Sequence, residues 1–195
     1  MDTDDGIMAV RLARNFIIQE VTGKKQSSYM MTPSYNKLSG VFVTINKFPS
    51  MELRGCIGFP IPEYPFLEVL EHSARSACHD PRFPDLTENE LDNVVAEVTI
   101  LTSPEQMIVR EKKDLLNVIN IGKHGLMLEH GRHRAVLLPK VPVECGWNVK
   151  EYLENLCMKA DLPKDKWKDS DCHLYSFEGK VFKEASPNGK IVEVK

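Results

Sequence analysis

The segment Phe66-Leu67-Glu68-Val69-Leu70-Glu71-His72-Ser73-Ala74-Arg75-Ser76-Ala77 decides how the chain is read. Apolar or small residues at 66, 69, 70, 73, 74 and 77 recur at steps of three and four. That period predicts an amphipathic helix over 65–78, with Pro65 suited to its first turn. The same offsets return at Val149, Tyr152, Leu153, Leu156, Cys157 and Ala160, predicting a second helix over 147–160.

The flanks match too. Before the first helix, Val41-Phe42-Val43-Thr44-Ile45 and Leu53-Arg54-Gly55-Cys56-Ile57-Gly58 read as hairpin strands, and Val94 to Leu101 reads as a strand after it. Before the second helix, Gly125–Glu129 and Arg134–Leu138 read as hairpin arms, and His173–Phe177 reads as a strand after it. Hairpin, prolines, helix and strand thus occur twice, as in an internal duplication. The expected fold is α+β with mainly antiparallel sheets in two subdomains, approximately 41–101 and 117–178. A groove between them would be a natural ligand site.

A helix is also expected over 5–21, its apolar stripe flanked by Arg11 and Arg14, followed by an irregular crossing over 29–40. Thr87 and Glu90 have capping-box spacing. Ile191 to Val194 reads as a final strand, on a sheet edge.

Composition narrows the function classes. The 195 residues carry 25 Lys+Arg and 28 Asp+Glu, a net charge of −3 that offers no general attraction for nucleic acid. No apolar run approaches the roughly 20 residues of a membrane span. The acidic start Met1-Asp2-Thr3-Asp4-Asp5 is unlike a basic signal-peptide n-region, so a cytoplasmic protein is expected. Five cysteines, none spaced C-x-x-C, argue against a zinc ribbon. Phosphate-loop, dinucleotide and H-E-x-x-H patterns are absent, so no metal or cofactor is indicated.

Leu53 to Gly58 is the most unusual stretch. Glycines weaken a strand interior unless another backbone or a ligand approaches closely, so Gly55 and Gly58 are candidate binding positions. In an extended segment, Arg54 and Cys56 share a face about 7 Å apart, where the guanidinium would favour the nucleophilic thiolate. The competing reading makes Cys56 a small buried hydrophobe. His124 is a candidate base for Cys56, or else a backbone-bonded turn histidine. Glu97 and Glu144 are candidate acid–base groups, or ion-pair partners of Arg54 and Arg82.

Leu53-Arg54-Gly55-Cys56-Ile57-Gly58 resembles the signature hexapeptide of the AMMECR family. The likeness extends through Asp80-Pro81-Arg82-Phe83, Glu97-Val98-Thr99-Ile100-Leu101, Ile121-Gly122-Lys123-His124-Gly125-Leu126 and Leu137-Leu138-Pro139-Lys140-Val141 to Leu156-Cys157-Met158-Lys159-Ala160. It departs at Lys140, where Gln is common, and at Asp161, where Gly often follows the Ala. The resemblance implies an α+β fold of two subdomains with the signature lining the groove. It also implies a functional association with Memo-like and radical-SAM proteins, without naming a substrate. Two functions follow as expectations: an enzyme or enzyme subunit using Cys56, or a peptide- or protein-binding scaffold.

Overall fold

The computed structural model describes residues 1–24 and 33–194. The expected crossing over 29–40 therefore lies partly outside the described residues. Its described end holds a 3-10 turn at Pro33–Asn36.

The chain divides into two compact units: the described residues of Met1–Leu101 with Lys180–Lys195, and Thr102–Gly179. In the first, helix α1 (Thr3–Thr22) and helix α2 (Phe66–Ala77) lie side by side on a five-stranded sheet. Its strands are β1 (Val41–Lys47), β2 (Leu53–Phe59), β3 (Val94–Leu101), β8 (Gly179–Glu184) and β9 (Ile191–Val194), in the order β2-β1-β3-β8-β9. In the second unit, β4 (Glu105–Gln106), β5 (Gly125–His130), β6 (His133–Leu137) and β7 (His173–Phe177) form a sheet ordered β4-β7-β5-β6. Short helices α3 (Leu115–Val118) and α4 (Lys140–Glu144) precede α5 (Val149–Lys159), which packs on β5 and β6.

The two expected helices have equivalent places. Helix α2 packs on the hairpin β1-β2, and α5 on the hairpin β5-β6. Beside them the strand orders β2-β1-β3 and β6-β5-β7 correspond, with both outer pairings antiparallel. The shared apolar spacing explains the correspondence. Phe66, Val69, Leu70, Ala74 and Ala77 are buried under one sheet, and Tyr152, Leu153, Leu156 and Cys157 under the other. Fully burying side chains of the Val, Leu or Phe kind contributes about 1.5–3 kcal/mol each.

Strand β8 is absent from the sequence expectation, and Arg14 is misread there as a residue flanking the helix stripe. Arg14 is buried, and so is Glu184 at the end of β8. The Arg14 Nε–H donates to both Glu184 carboxylate oxygens, at 3.0 and 3.1 Å, and Nη2 pairs with the same carboxylate. Nη2 also donates to the Val94 carbonyl at 2.6 Å, and the Ala96 N–H donates to Glu184 at 2.8 Å. The pair joins α1, β3 and β8 across 170 residues of sequence.

Removing one partner of a buried ion pair leaves a desolvated charge and costs about 3–5 kcal/mol, whereas an apolar pair of similar volume is close to neutral. Glu184→Gln is therefore expected to lower unfolding free energy by about that amount. The double change Arg14→Met with Glu184→Leu should recover most of it. Urea denaturation of the three proteins checks both expectations.

Candidate functional site

Strand β2 lies at the edge of its sheet, beside β1 alone. Cys56 faces Thr44 in register. The outward backbone groups of Cys56 are capped by side chains: its N–H donates to Asp80 Oδ2 at 2.8 Å, and its carbonyl accepts from Arg82 Nη2 at 3.3 Å. Because both groups point away from β1, Thr44 and Cys56 form a non-hydrogen-bonded pair, in which side chains sit closest. The Thr44 hydroxyl accordingly reaches Cys56 Sγ at 3.2 Å.

Asp80 and Arg82 are one construction. Asp80 Oδ1 accepts from the Arg82 backbone N–H and from Nε, both at 3.0 Å, and Oδ2 accepts from Nη2 at 2.7 Å. Asp80 is buried while Arg82 reaches solvent. The Arg82 guanidinium holds the Asp80 carboxyl far below the usual carboxylate range, with the Cys56 N–H adding to the effect. Glu97 is opposite Thr44 on the other side of β1, so Cys56, Thr44 and Glu97 make one row across three strands. Cys56 is half-buried, whereas Cys78, Cys157 and Cys172 are buried. Burial pushes the Cys78 thiol up to about 12 and the Cys157 thiol to about 11.

Arg54 does not serve Cys56. The register slips between Ile45 and Asn46, which pair with Gly55 and Leu53, so Arg54 is the extra residue of a bulge. Its Nε donates to Glu90 at 2.7 Å, and its Nη2 donates to Glu90 at 3.1 Å and to the Asp85 carbonyl at 3.1 Å. Glu90 also completes the capping box at Thr87. The expected partners of the two arginines are thus replaced: Arg54 takes Glu90, and Arg82 takes Asp80.

The glycines are corrected as well. A Cβ on Gly55 would lie 2.2 Å from the Ala77 carbonyl oxygen, at the end of α2. One on Gly58 would lie 2.3 Å from the Val41 carbonyl oxygen and 2.5 Å from the Phe42 ring. The chain's own atoms, not an open approach for a ligand, require both glycines.

His124 and Glu144 belong to the second unit, with local contacts. His124 Nδ1 accepts the Asn120 N–H at 3.3 Å, and the His124 carbonyl accepts the Tyr152 hydroxyl at 3.2 Å. Glu144 is exposed, 3.9 Å from Lys140. Thr44 and Asp80 are site residues that the sequence reading missed. The alternation of β1 and the turn-forming Asp80-Pro81 were the available signals. A cavity of about 450 Å³ adjoins β2, lined by Ile57, Pro81 and the outer face of α2. Cys56 is not among its lining residues.

The Arg54 guanidinium lowers the Glu90 carboxyl to about 2. A carboxylate depressed in the folded protein stabilises above its unfolded value, near 4.3, and that stabilisation is lost as pH falls towards 2. Glu90 is one-third exposed, so screening limits the contribution to about 1 kcal/mol. Glu90→Gln should therefore be less stable than the parent at pH 7 and nearly equal to it at pH 2. Denaturant midpoints at the two pH values check this.

Comparisons with known proteins cover the whole site. The family model described as AMMECR1 matches residues 10–182. "Protein MJ0810" of Methanocaldococcus jannaschii is 46% identical over 193 residues, covering 98% of this chain and 96% of that one. A protein of Aquifex aeolicus is 42% identical over 187 residues, covering 95% of each. The crystal structure of the uncharacterized protein PH0010 from Pyrococcus horikoshii superposes with a TM-score of 0.80 at 39% identity, covering 100% of this chain and 98% of that one. With the family model spanning most of the chain and relatives matching it nearly end to end, this protein belongs to the AMMECR1 family.

Proposed function

We propose that Leu53–Gly58, with Asp80 and Arg82, forms a ligand or active site in which Cys56 is the reactive group, the chain acting as an enzyme or enzyme subunit. The observation that carries this reading is the treatment of Cys56. The residue is half-buried and its sulfur receives the Thr44 hydroxyl, while its backbone is held on both sides by Asp80 and Arg82. An O–H donor on sulfur solvates the thiolate, the form that attacks electrophiles. Fixing the backbone holds the nucleophile in place, as catalysis by positioning requires. Arg82, exposed beside the Cys56 carbonyl and paired with Asp80, would meet a ligand carboxylate or phosphate with the edge of its guanidinium that Asp80 leaves free. Glu97 extends the row as a candidate proton acceptor. His124 and Glu144, both in the second unit, remain candidate acid–base groups.

The filled positions at Gly55 and Gly58 favour a second reading, a binding scaffold whose signature is conformational. The two readings differ in thiol reactivity. Iodoacetamide labelling, resolved by site with mass spectrometry at pH 7, is expected to modify Cys56 at least about tenfold faster than buried Cys157. Cys56 should also label at least as fast as the exposed Cys145, which measures plain access. Thr44→Val should slow Cys56 several-fold while leaving Cys145 and the circular dichroism unchanged. A Cys56 rate no greater than that of Cys157, or one indifferent to Thr44→Val, transfers the assignment to the scaffold.

A further inference from the structure

We propose that His79 is a pH-sensitive clasp: its imidazolium ties α1 to the segment Asp80–Asp85, and that segment's hold on Cys56 loosens as the ring gives up a proton. Ring geometry carries the inference. His79 Nε2 lies 3.1 Å from Glu20 Oε1, and Nδ1 lies 3.0 Å from Asp85 Oδ1. A carboxylate only accepts, and a neutral imidazole has a single N–H. The two contacts therefore exist together only in the doubly protonated ring, which donates to both. That charge also stands just past the C-terminal end of α2, the negative end of a helix dipole.

The position gives the clasp its effect. The His79 N–H donates to the Ser76 carbonyl at 3.0 Å, and the Leu86 N–H returns to the Cys78 carbonyl at 2.8 Å. Between these bonds Asp80–Asp85 forms a loop, and it contains Asp80 and Arg82, which hold the N–H and the carbonyl of Cys56. The Asp85 contact closes the loop on its own start, and the Glu20 contact fastens it to α1.

The other charged groups around the ring are paired. Arg75 of α2 spans Glu20 and Glu71, Arg54 of β2 takes Glu90, Arg82 takes Asp80, and Lys24 faces Glu88. His72 of α2 is bonded through Nδ1 to the Ser76 hydroxyl, and burial keeps the Cys78 thiol uncharged. The Asp85 and Glu20 carboxylates accordingly raise the His79 pKa above its ordinary value. A raised folded value gives a stabilisation that is complete below the unfolded value near 6.5 and is lost as pH rises through the folded one. Exposure decides which contact opens. Glu20 is mostly shielded and shared with Arg75, whereas Asp85 is three-quarters exposed, so water can replace its partner. The neutral ring keeps its proton on Nε2, towards Glu20, and turns a lone pair to Asp85, which leaves.

The clasp would govern chemistry only on the reading of Cys56 proposed above. Its test is therefore placed on the Cys56 amide, which exchanges whether or not the thiol reacts. His79 is titrated by ring NMR in the full chain, with His79→Gln identifying its signal, and hydrogen-exchange protection of Cys56 is followed over the same pH range. Correction for intrinsic exchange and the Leu156 amide of α5 serve as references. The His79 midpoint is expected above about 6.5. Cys56 protection should fall roughly two- to fivefold through that midpoint, the range for one exposed ion pair, while Leu156 stays level. Asp85→Asn, a change at an exposed position, should lower the midpoint and abolish the step. A midpoint at or below about 6.5, a parent protein without the step, or a step that persists in Asp85→Asn overturns the clasp. Slow alkylation of Cys56 beside an intact step overturns only the nucleophile reading.

Discussion

A buried arginine–carboxylate pair holds the first unit together from its two ends. Arg14 belongs to the first helix, Glu184 to a strand reached only after the chain has built the whole second unit. Neither charge can stay desolvated alone, so the sheet of the first unit is complete only when β8 has returned beside β3. The pair is also saturated by the backbone, through the Val94 carbonyl and the Ala96 N–H. Those contacts fix how α1 meets the sheet, since a polar network of this kind tolerates one geometry. The second unit is thereby an insertion within the first.

Hydrogen-bond parity along the edge strand organises the candidate site. In an antiparallel pair, alternate residues of an edge strand turn their N–H and C=O outward, where bare groups invite pairing with another chain. At Cys56 those groups meet Asp80 and Arg82. The same parity brings the Thr44 hydroxyl onto sulfur from the neighbouring strand. One register thus sets the hydroxyl beside the thiol, the fixed backbone and the nearby guanidinium. Two residues earlier the bulge breaks that parity, and Arg54 is drawn into an ion pair with Glu90. The two arginines of this region therefore differ in exposure: Arg54 is buried and paired with Glu90, whereas Arg82 reaches solvent while paired with Asp80.

The equivalence of the two hairpin–helix–strand units has a simple physical content. Each helix covers its hairpin with the same apolar positions, and each following strand pairs with the first strand of that hairpin. What distinguishes the first unit is its additions, helix α1 and the hairpin β8-β9.

Local periodicity determined much of this protein. The apolar spacing at 66–77 and 149–160 located both helices, because burying one face imposes a period on any isolated element, and β-branched and aromatic content located β1. Thr87 and Glu90 announced a capping box for the same reason: its partners are three residues apart. The hexapeptide around Cys56 was legible as unusual, though not for the right cause. Its glycines answer to Ala77, Val41 and Phe42, which are distant or across a strand. Tertiary structure alone decided the partners of Arg14, Arg54 and Arg82, the bulge opposite Ile45, and the place of β8. Strand β8 is short, with Phe182 and Glu184 both buried, so no clean apolar–polar alternation marks it. A charged side chain carries no period that names its counter-ion. Its partner is whichever opposite charge the fold desolvates beside it, and 170 residues separate Arg14 from Glu184.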